Sequence, residues 1–195
     1  MLQTPIELMV GLGNPGPQYA QTRHNAGAWF VQQLATSFSV PLKHEAKFRG
    51  FCARLDMSSH TCRLLIPSTY MNLSGQSVRA LSDFYKIPAK AILVAHDELD
   101  FPPGIVRIKS AGGHGGHKGL SDIIHHLNIN EFYRLRLGIG HPSNRAYVSD
   151  YVLNRPSTAE MIQIQDAIDR SLAVFSDLSQ GKIAKVTQHL HQDSV

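Results

Sequence analysis

Cysteine is nearly absent from this 195-residue chain, which has only Cys52 and Cys62. They fall in residues 51–55 and 61–66, two runs that read as the strands of one hairpin turning near Ser58 and Ser59. In that register the thiols do not face each other. No disulfide is expected, and a reducing compartment fits. Long hydrophobic runs are also missing, since no stretch approaches the ~20 apolar residues of a membrane span. Residues 1–7 lack a basic segment leading into an apolar one, so no secretory signal is expected and the reading is a cytoplasmic protein. Repeats, low-complexity blocks and linkers are absent as well. Acidic residues are missing from positions 10–44, an absence that decides one motif below.

What remains is ordinary globular material. The chain is 43% hydrophobic and 17% charged, whereas disorder needs fewer apolar residues and more net charge. Its length suits one domain over residues 1–195 and is enough to bury a core. The formal charge is +4 and the pI about 9.2. That excess is compatible with an anionic partner such as RNA, although many small proteins share it without functional meaning.

Periodicity gives the elements. Residues 6–10 read as a buried strand. Residues 22–38 carry Trp29, Phe30, Leu34 and Phe38 at helical spacing. After the hairpin, 74–84 is a helix with Val78, Leu81 and Phe84 on one face. Strands are expected at 91–95 and, past Pro102-Pro103-Gly104, at 105–109. Residues 120–127 are helical. Residues 133–139 alternate Arg134 and Arg136 with apolar residues, as a strand with one polar face does. One long amphipathic helix spans 160–178, with Met161, Ile164, Ile168, Leu172 and Phe175 along its stripe. A short helix with a basic face covers 182–191. Strands alternating with helices, plus one inserted hairpin, predict an α/β fold: a single-domain sandwich in which helices flank a mixed twisted β-sheet. Sites in such folds gather beyond strand ends. The polar clusters at 11–25, 70–75, 96–100 and 112–119 all follow predicted strands.

Two motifs suggest chemistry that the residues do not support. Gly11-Leu12-Gly13-Asn14-Pro15-Gly16 matches a dinucleotide fingerprint. That loop must offer backbone N–H groups to a pyrophosphate, and Pro15 and Pro17 have none. The fingerprint also needs an acid about 20 residues on to bind a ribose, and there is none. The glycines are read as a tight turn beside a site. Gly112-Gly113-His114-Gly115-Gly116-His117 suggests zinc, but zinc sites use three or four protein ligands. No carboxylate or cysteine lies at helical ligand spacing beside His114 and His117. No metal and no cofactor is expected, and the loop is read as a flexible polar segment that closes over a substrate or lies on a phosphate backbone.

The densest candidates for chemistry are Asn14, Tyr19, Arg23, His24, Asn25, Asn72, His96, Asp97 and Glu98. Each alone has an ordinary reading as a cap or turn residue, and spacing does not pair them. Taken in order, Gly11-Leu-Gly-Asn-Pro-Gly16, Tyr19, Thr22-Arg-His-Asn-Ala-Gly27, Thr69-Tyr-Met-Asn-Leu-Ser-Gly75, His96-Asp-Glu-Leu-Asp100, Gly112-Gly-His-Gly-Gly-His117 and Arg134-Leu-Arg-Leu-Gly-Ile-Gly-His-Pro142 resemble bacterial peptidyl-tRNA hydrolases. The likeness runs from about residue 6 to 153, with a compatible helical tail. It implies a monomeric, cytoplasmic α/β enzyme that cleaves the ester between peptide and tRNA without metal, recycling tRNA stranded by aborted translation.

The resemblance also implies roles. His24 would be the general base for water, which suits an imidazole titrating near neutrality. Asp97 would orient it. Asn72 would donate to the water or the oxyanion, and Asn14 would read the acylated nitrogen of the substrate. Tyr19 and Tyr70 would line the tRNA end, where stacking is plausible chemistry. Arg107, Lys109 and Arg136 would meet phosphates, the 5′ phosphate being the natural target; an ordinary solvated strand face is the other reading of these three. One position departs from the family pattern, which has asparagine where this chain has Lys118. An amide donates and accepts, whereas lysine only donates and brings charge. Pointing inward, Lys118 would disfavour protonated His24; pointing outward, it would add a phosphate contact. The expectation is weaker turnover, relieved by restoring asparagine. A binding protein that lost its chemistry at position 118 is a second reading, against which the retained His24, Asp97 and Asn72 argue. A nucleotide-dependent oxidoreductase is a third, weakened by Pro15 and the missing acid.

Overall fold

The computed structural model describes residues 4–192. Seven strands form one sheet: β1 (Leu8–Gly11), β2 (Lys43–Glu45), β3 (Gly50–Asp56), β4 (Thr61–Pro67), β5 (Ile92–Glu98), β6 (Val106–Ser110) and β7 (Tyr133–Gly138), in the order β2-β3-β4-β1-β5-β7-β6. The central β4, β1, β5 and β7 are mutually parallel, while β2, β3 and β6 run antiparallel to their neighbours. The sheet is therefore mixed, as the alternation of elements predicts.

Parallel strands are covered on both faces, so their sequences read as continuous apolar runs rather than alternating ones. Leu8, Val10, Ile92 and Val94 pack on one side, under α2 (Ser74–Tyr85) and α3 (Lys118–Leu127). Met9, Leu93 and Ala95 pack on the other, under α1 (Ala26–Ser37) and α5 (Thr158–Ala173). Short α4 (Val148–Val152), α6 (Phe175–Ser179) and α7 (Ile183–Gln192) complete the second layer. The hairpin has the expected strands. Cys52 stands opposite Leu65 and Cys62 opposite Leu55, so the two buried thiols are free and unpaired.

Several boundaries differ from the periodicity reading. The helix expected at 22–38 starts with a 3-10 turn, Arg23–Asn25, before α1 begins at Ala26. Asn25 is held there by exchanging hydrogen bonds with the backbone of Asn14. The helix expected at 160–178 breaks at Val174. The change of direction buries Phe175 and Leu178 in the core and sets the Phe175 ring on Phe38 at 5.1 Å. β2 and α4 were too short to leave a periodic signal. β5 runs three residues past Ala95, so His96 and Asp97 lie inside the strand rather than after it.

The glycines around β1 serve packing. α1 crosses so closely that a Cβ on Gly27 would lie 2.1 Å from the Ala95 carbonyl oxygen. That contact sets the start of α1 against the end of β5, two residues before Asp97. Backbone cannot yield as a side chain can, so Gly27→Ala is expected to destabilise the fold by about 3 kcal/mol. The measurement is thermal unfolding, with Tm lowered by roughly 6–12 °C; an unchanged Tm would refute the packing argument.

Candidate active site

β1 and β5 are parallel neighbours, so the loop after β1 and the end of β5 meet on one side of the sheet. There the 3-10 turn brings His24 onto Asp97. The imidazole Nδ1 lies 2.9 and 3.0 Å from the two carboxylate oxygens. The turn is itself stapled. Buried Arg23 donates to the carbonyls of Tyr151, Asn154 and Arg155, pairs with Glu160 at 2.9 Å, and lies over the Tyr151 ring. Glu160 also closes the capping box of α5 with Ser157. His24 is therefore held from the far helical layer as well as from β5.

His117 completes the arrangement. It is the N-cap of α3, and its Nδ1 accepts hydrogen bonds from the backbone N–H groups of Gly119 and Leu120. A nitrogen that accepts is unprotonated, so the proton sits on Nε2, which donates to Asp97 Oδ1 at 2.9 Å. Asp97 accepts from both histidines. His24 consequently carries its proton on Nδ1 and presents a bare Nε2. Neighbouring His96 donates its Nδ1–H to the Asp97 carbonyl at 2.7 Å.

The electrostatics follow. Burial alone would raise Asp97, but the charges and hydrogen bonds of His24 and His117 hold it well below the usual carboxylate range. Burial pulls His24 down; Asp97 outweighs that, Lys118 subtracts a little, and the net shift is upward from 6.5. His96 is pushed down to about 3, by burial first and then by the imidazole of His117 beside it, and stays neutral.

The atoms of His24, Asp97 and His117 lie within 4.8 Å of one another, as ligands of one ion would. The donor set does not fit a metal. Ligation through His117 Nε2 would move its proton to Nδ1, against two backbone N–H donors. The cluster is built as a hydrogen-bond relay.

A cavity of about 800 Å³ opens beside this relay. Asn14, His24, Tyr70, Asn72, Asp97, Lys109 and Arg136 line it, so most of the sequence candidates converge. Asn14 Oδ1 accepts from the Met71 N–H at 2.8 Å, which turns its NH2 group toward the cavity as a donor. Exposed Asn72 makes no hydrogen bond among the described residues, leaving its amide available. Tyr19 does not line the cavity but backs Tyr70 edge-on, with ring centroids 6.3 Å apart. Lys109, Arg134 and Arg136 share one face of β6 and β7 with Arg107, by cross-strand register. Arg136 is bound to Glu98 at 2.7 Å and reaches Asp100 at 3.7 Å. Arg107 is the member that departs from expectation. It lies on the edge strand and turns to α7, donating to the Val106 and Leu190 carbonyls, and it is outside the cavity lining.

The loop before α3 is not the loose segment expected. Buried Arg134 binds the Gly112 carbonyl and, at 2.6 Å, that of Gly113, while His117 anchors the other end. The sequence reading missed His117 and Arg134. Histidine is not a preferred N-cap type, so the signal was only its place one residue before the helix.

With this geometry in view, the relatives are informative. The family model for peptidyl-tRNA hydrolase matches residues 8–195. The chain belongs to the peptidyl-tRNA hydrolase family. Peptidyl-tRNA hydrolase of Pseudomonas putida is 54% identical, over 96% of this chain and 97% of its own. That of Aeromonas hydrophila is 52% identical, over 97% and 96%. The crystal structure of peptidyl-tRNA hydrolase from Acinetobacter baumannii superposes with a TM-score of 0.93 at 49% identity, covering 96% of this chain and 95% of that one. The relay and cavity described above thus sit on the fold of this family.

Because the Asp97 charge raises His24, the imidazolium is stabilised in the fold. That stabilisation is fully present below pH 6.5 and is lost as pH rises through the folded value. In an NMR pH series the His24 imidazole should titrate above its usual 6.5. Asp97→Asn removes the charge, and the His24 midpoint should fall; an unmoved midpoint would show that Asp97 does not set it.

Proposed function

We propose that this chain hydrolyses the ester of peptidyl-tRNA with His24 as general base. The observation that carries the mechanism is the fixed tautomer: Asp97 holds Nδ1–H, so the Nε2 lone pair is free to take a proton. Water adds to the ester carbonyl as His24 Nε2 takes its proton, and the carbonyl π pair moves to oxygen. Collapse re-forms the carbonyl and breaks the bond to the ribose oxygen, to which the imidazolium returns the proton. Asp97 steadies the cation formed in between. The products are a peptide acid and tRNA with a free terminal ribose.

The other candidates fall into place around this step. Asn72 donates to the attacked oxygen. The Asn14 NH2, a donor, reads the carbonyl of the acylated nitrogen, which an N-blocked substrate has and a simple aminoacyl-tRNA lacks. Tyr70, backed by Tyr19, offers a stacking face to the tRNA end. Lys109 and Arg136 meet phosphate, with Arg136 exchanging part of its Glu98 contact. Arg107 acts through α7 packing rather than contact with tRNA. No step calls for a metal or cofactor. We read the enzyme as a cytoplasmic monomer; among the described residues no helix is long and apolar enough to cross a membrane.

The test is release of labelled N-acetyl-amino acid from N-acetyl-aminoacyl-tRNA with chelator present. His24→Ala should lower kcat/KM at least 100-fold to 10,000-fold, the usual contribution of a positioned base. Undiminished release by the variant would reject His24 as the base, and release abolished by chelator would reject the metal-free step.

A further inference from the structure

The cavity holds one cation in a position that local electrostatics oppose. Lys118 is the first residue of α3, and the first turn of that helix contains no acidic residue. A helix N-terminus carries partial positive charge and outward N–H groups, so it favours anions and disfavours an ammonium. Among the described residues no carboxylate forms an ion pair with Lys118. Its side chain is exposed, yet it lines the cavity together with His24 and Asn72. Its backbone is fixed, because the residue before it is pinned to Asp97 and to the helix start. A local rule broken without compensation inside the chain marks a functional position. Here the missing partner is negative charge that arrives with the substrate.

Two such charges exist: the phosphates of tRNA, and the oxygen of the ester carbonyl once water has added. Lys109 and Arg136 stand on β6 and β7, away from α3, and supply cations for phosphate. Lys118 lines the same cavity as His24, and its charge is felt there. We propose that Lys118 is a catalytic residue of this chain, whose ammonium donates a hydrogen bond to the oxyanion formed on the ester carbonyl. As the water proton goes to His24 Nε2 and the π pair moves to oxygen, the new negative charge forms beside Lys118 Nζ. The charge is lost again when the carbon–ribose oxygen bond breaks. A full positive charge does at this point what a neutral amide does less strongly. A catalytic Lys118 runs opposite to the sequence expectation of weakened turnover.

The inference rests on His24 as base, so variants at both positions are measured together on N-acetyl-aminoacyl-tRNA. Lys118→Met should lower kcat about 100-fold, the scale of removing one oxyanion donor, with KM within about 3-fold. Lys118→Arg should recover most of the loss, and Lys118→Asn should fall between. The Tm of Lys118→Met should equal or exceed that of the parent, because an unfavourable charge has left the helix start. An unchanged kcat in Lys118→Met overturns the proposal. So does a loss confined to KM that grows with salt, which would make Lys118 a phosphate contact, and so does a gain of turnover in Lys118→Asn. If His24→Ala keeps full kcat, the reading of the base fails and takes this inference with it. Loss in His24→Ala with none in Lys118→Met sinks the inference alone.

Discussion

One carboxylate, Asp97, accepts hydrogen bonds from two histidines that arrive on different parts of the chain. His24 comes from the turn after β1, and His117 from the start of α3. Neither segment is close to Asp97 in sequence. The carboxylate is buried, and a buried charge is tolerated only when its lone pairs are filled. Satisfying Asp97 therefore fixes the loop after β1 and the N-terminus of α3 against the end of β5. The cavity between them follows from that constraint.

The same contacts set the protonation pattern. Two backbone N–H groups at the start of α3 decide which nitrogen of His117 is bare, and so which one donates to Asp97. Asp97 in turn decides which nitrogen of His24 is bare. A helix cap thereby reaches His24 Nε2, the proposed proton acceptor, through two rings and one carboxylate. A loosely held loop could not transmit this, which is why the Arg134 contacts to Gly112 and Gly113 belong to the site although they touch no reacting atom.

Much of the fold was legible in the sequence because its strands are apolar runs and its helices have clear stripes. The elements that periodicity missed are the three-residue β2 and five-residue α4, too short to repeat a pattern. The break at Val174 was invisible because Phe175 continues the apolar stripe; only packing on Phe38 shows the change of direction. Of the site, the ordered motifs named His24, Asp97, Asn14 and Asn72, and the structure gathers them around one cavity. Arg107 lies apart from the cavity because alternation along β6 gives a shared face but not how far round the edge a long side chain turns. His117 was hidden for the opposite reason. It sits in a glycine-rich run that reads as mobile, with Gly115 at φ 58° and Gly116 at φ 84°, yet those turns are what deliver the ring to Asp97.

The charges around the cavity act on His24 in two directions. Arg136 is paired with Glu98, whereas Arg134 is held by uncharged loop carbonyls and its charge is still felt at His96. Among the described residues Lys109 and Lys118 form no ion pair, and both line the cavity. Positive charge beside an imidazole favours its neutral form, whereas Asp97 favours the protonated one. The proposed base would need both: neutral to accept the proton from water, then stabilised once it has accepted it. Asp97 serves the second need through direct hydrogen bonds. The first is served by burial and, to a smaller extent, by the Lys118 charge; the same positive charge attracts an oligoanion. On the proposed reading, the positive charge of Lys109 and Lys118 would draw tRNA to the cavity while Asp97 steadies His24 once it is protonated.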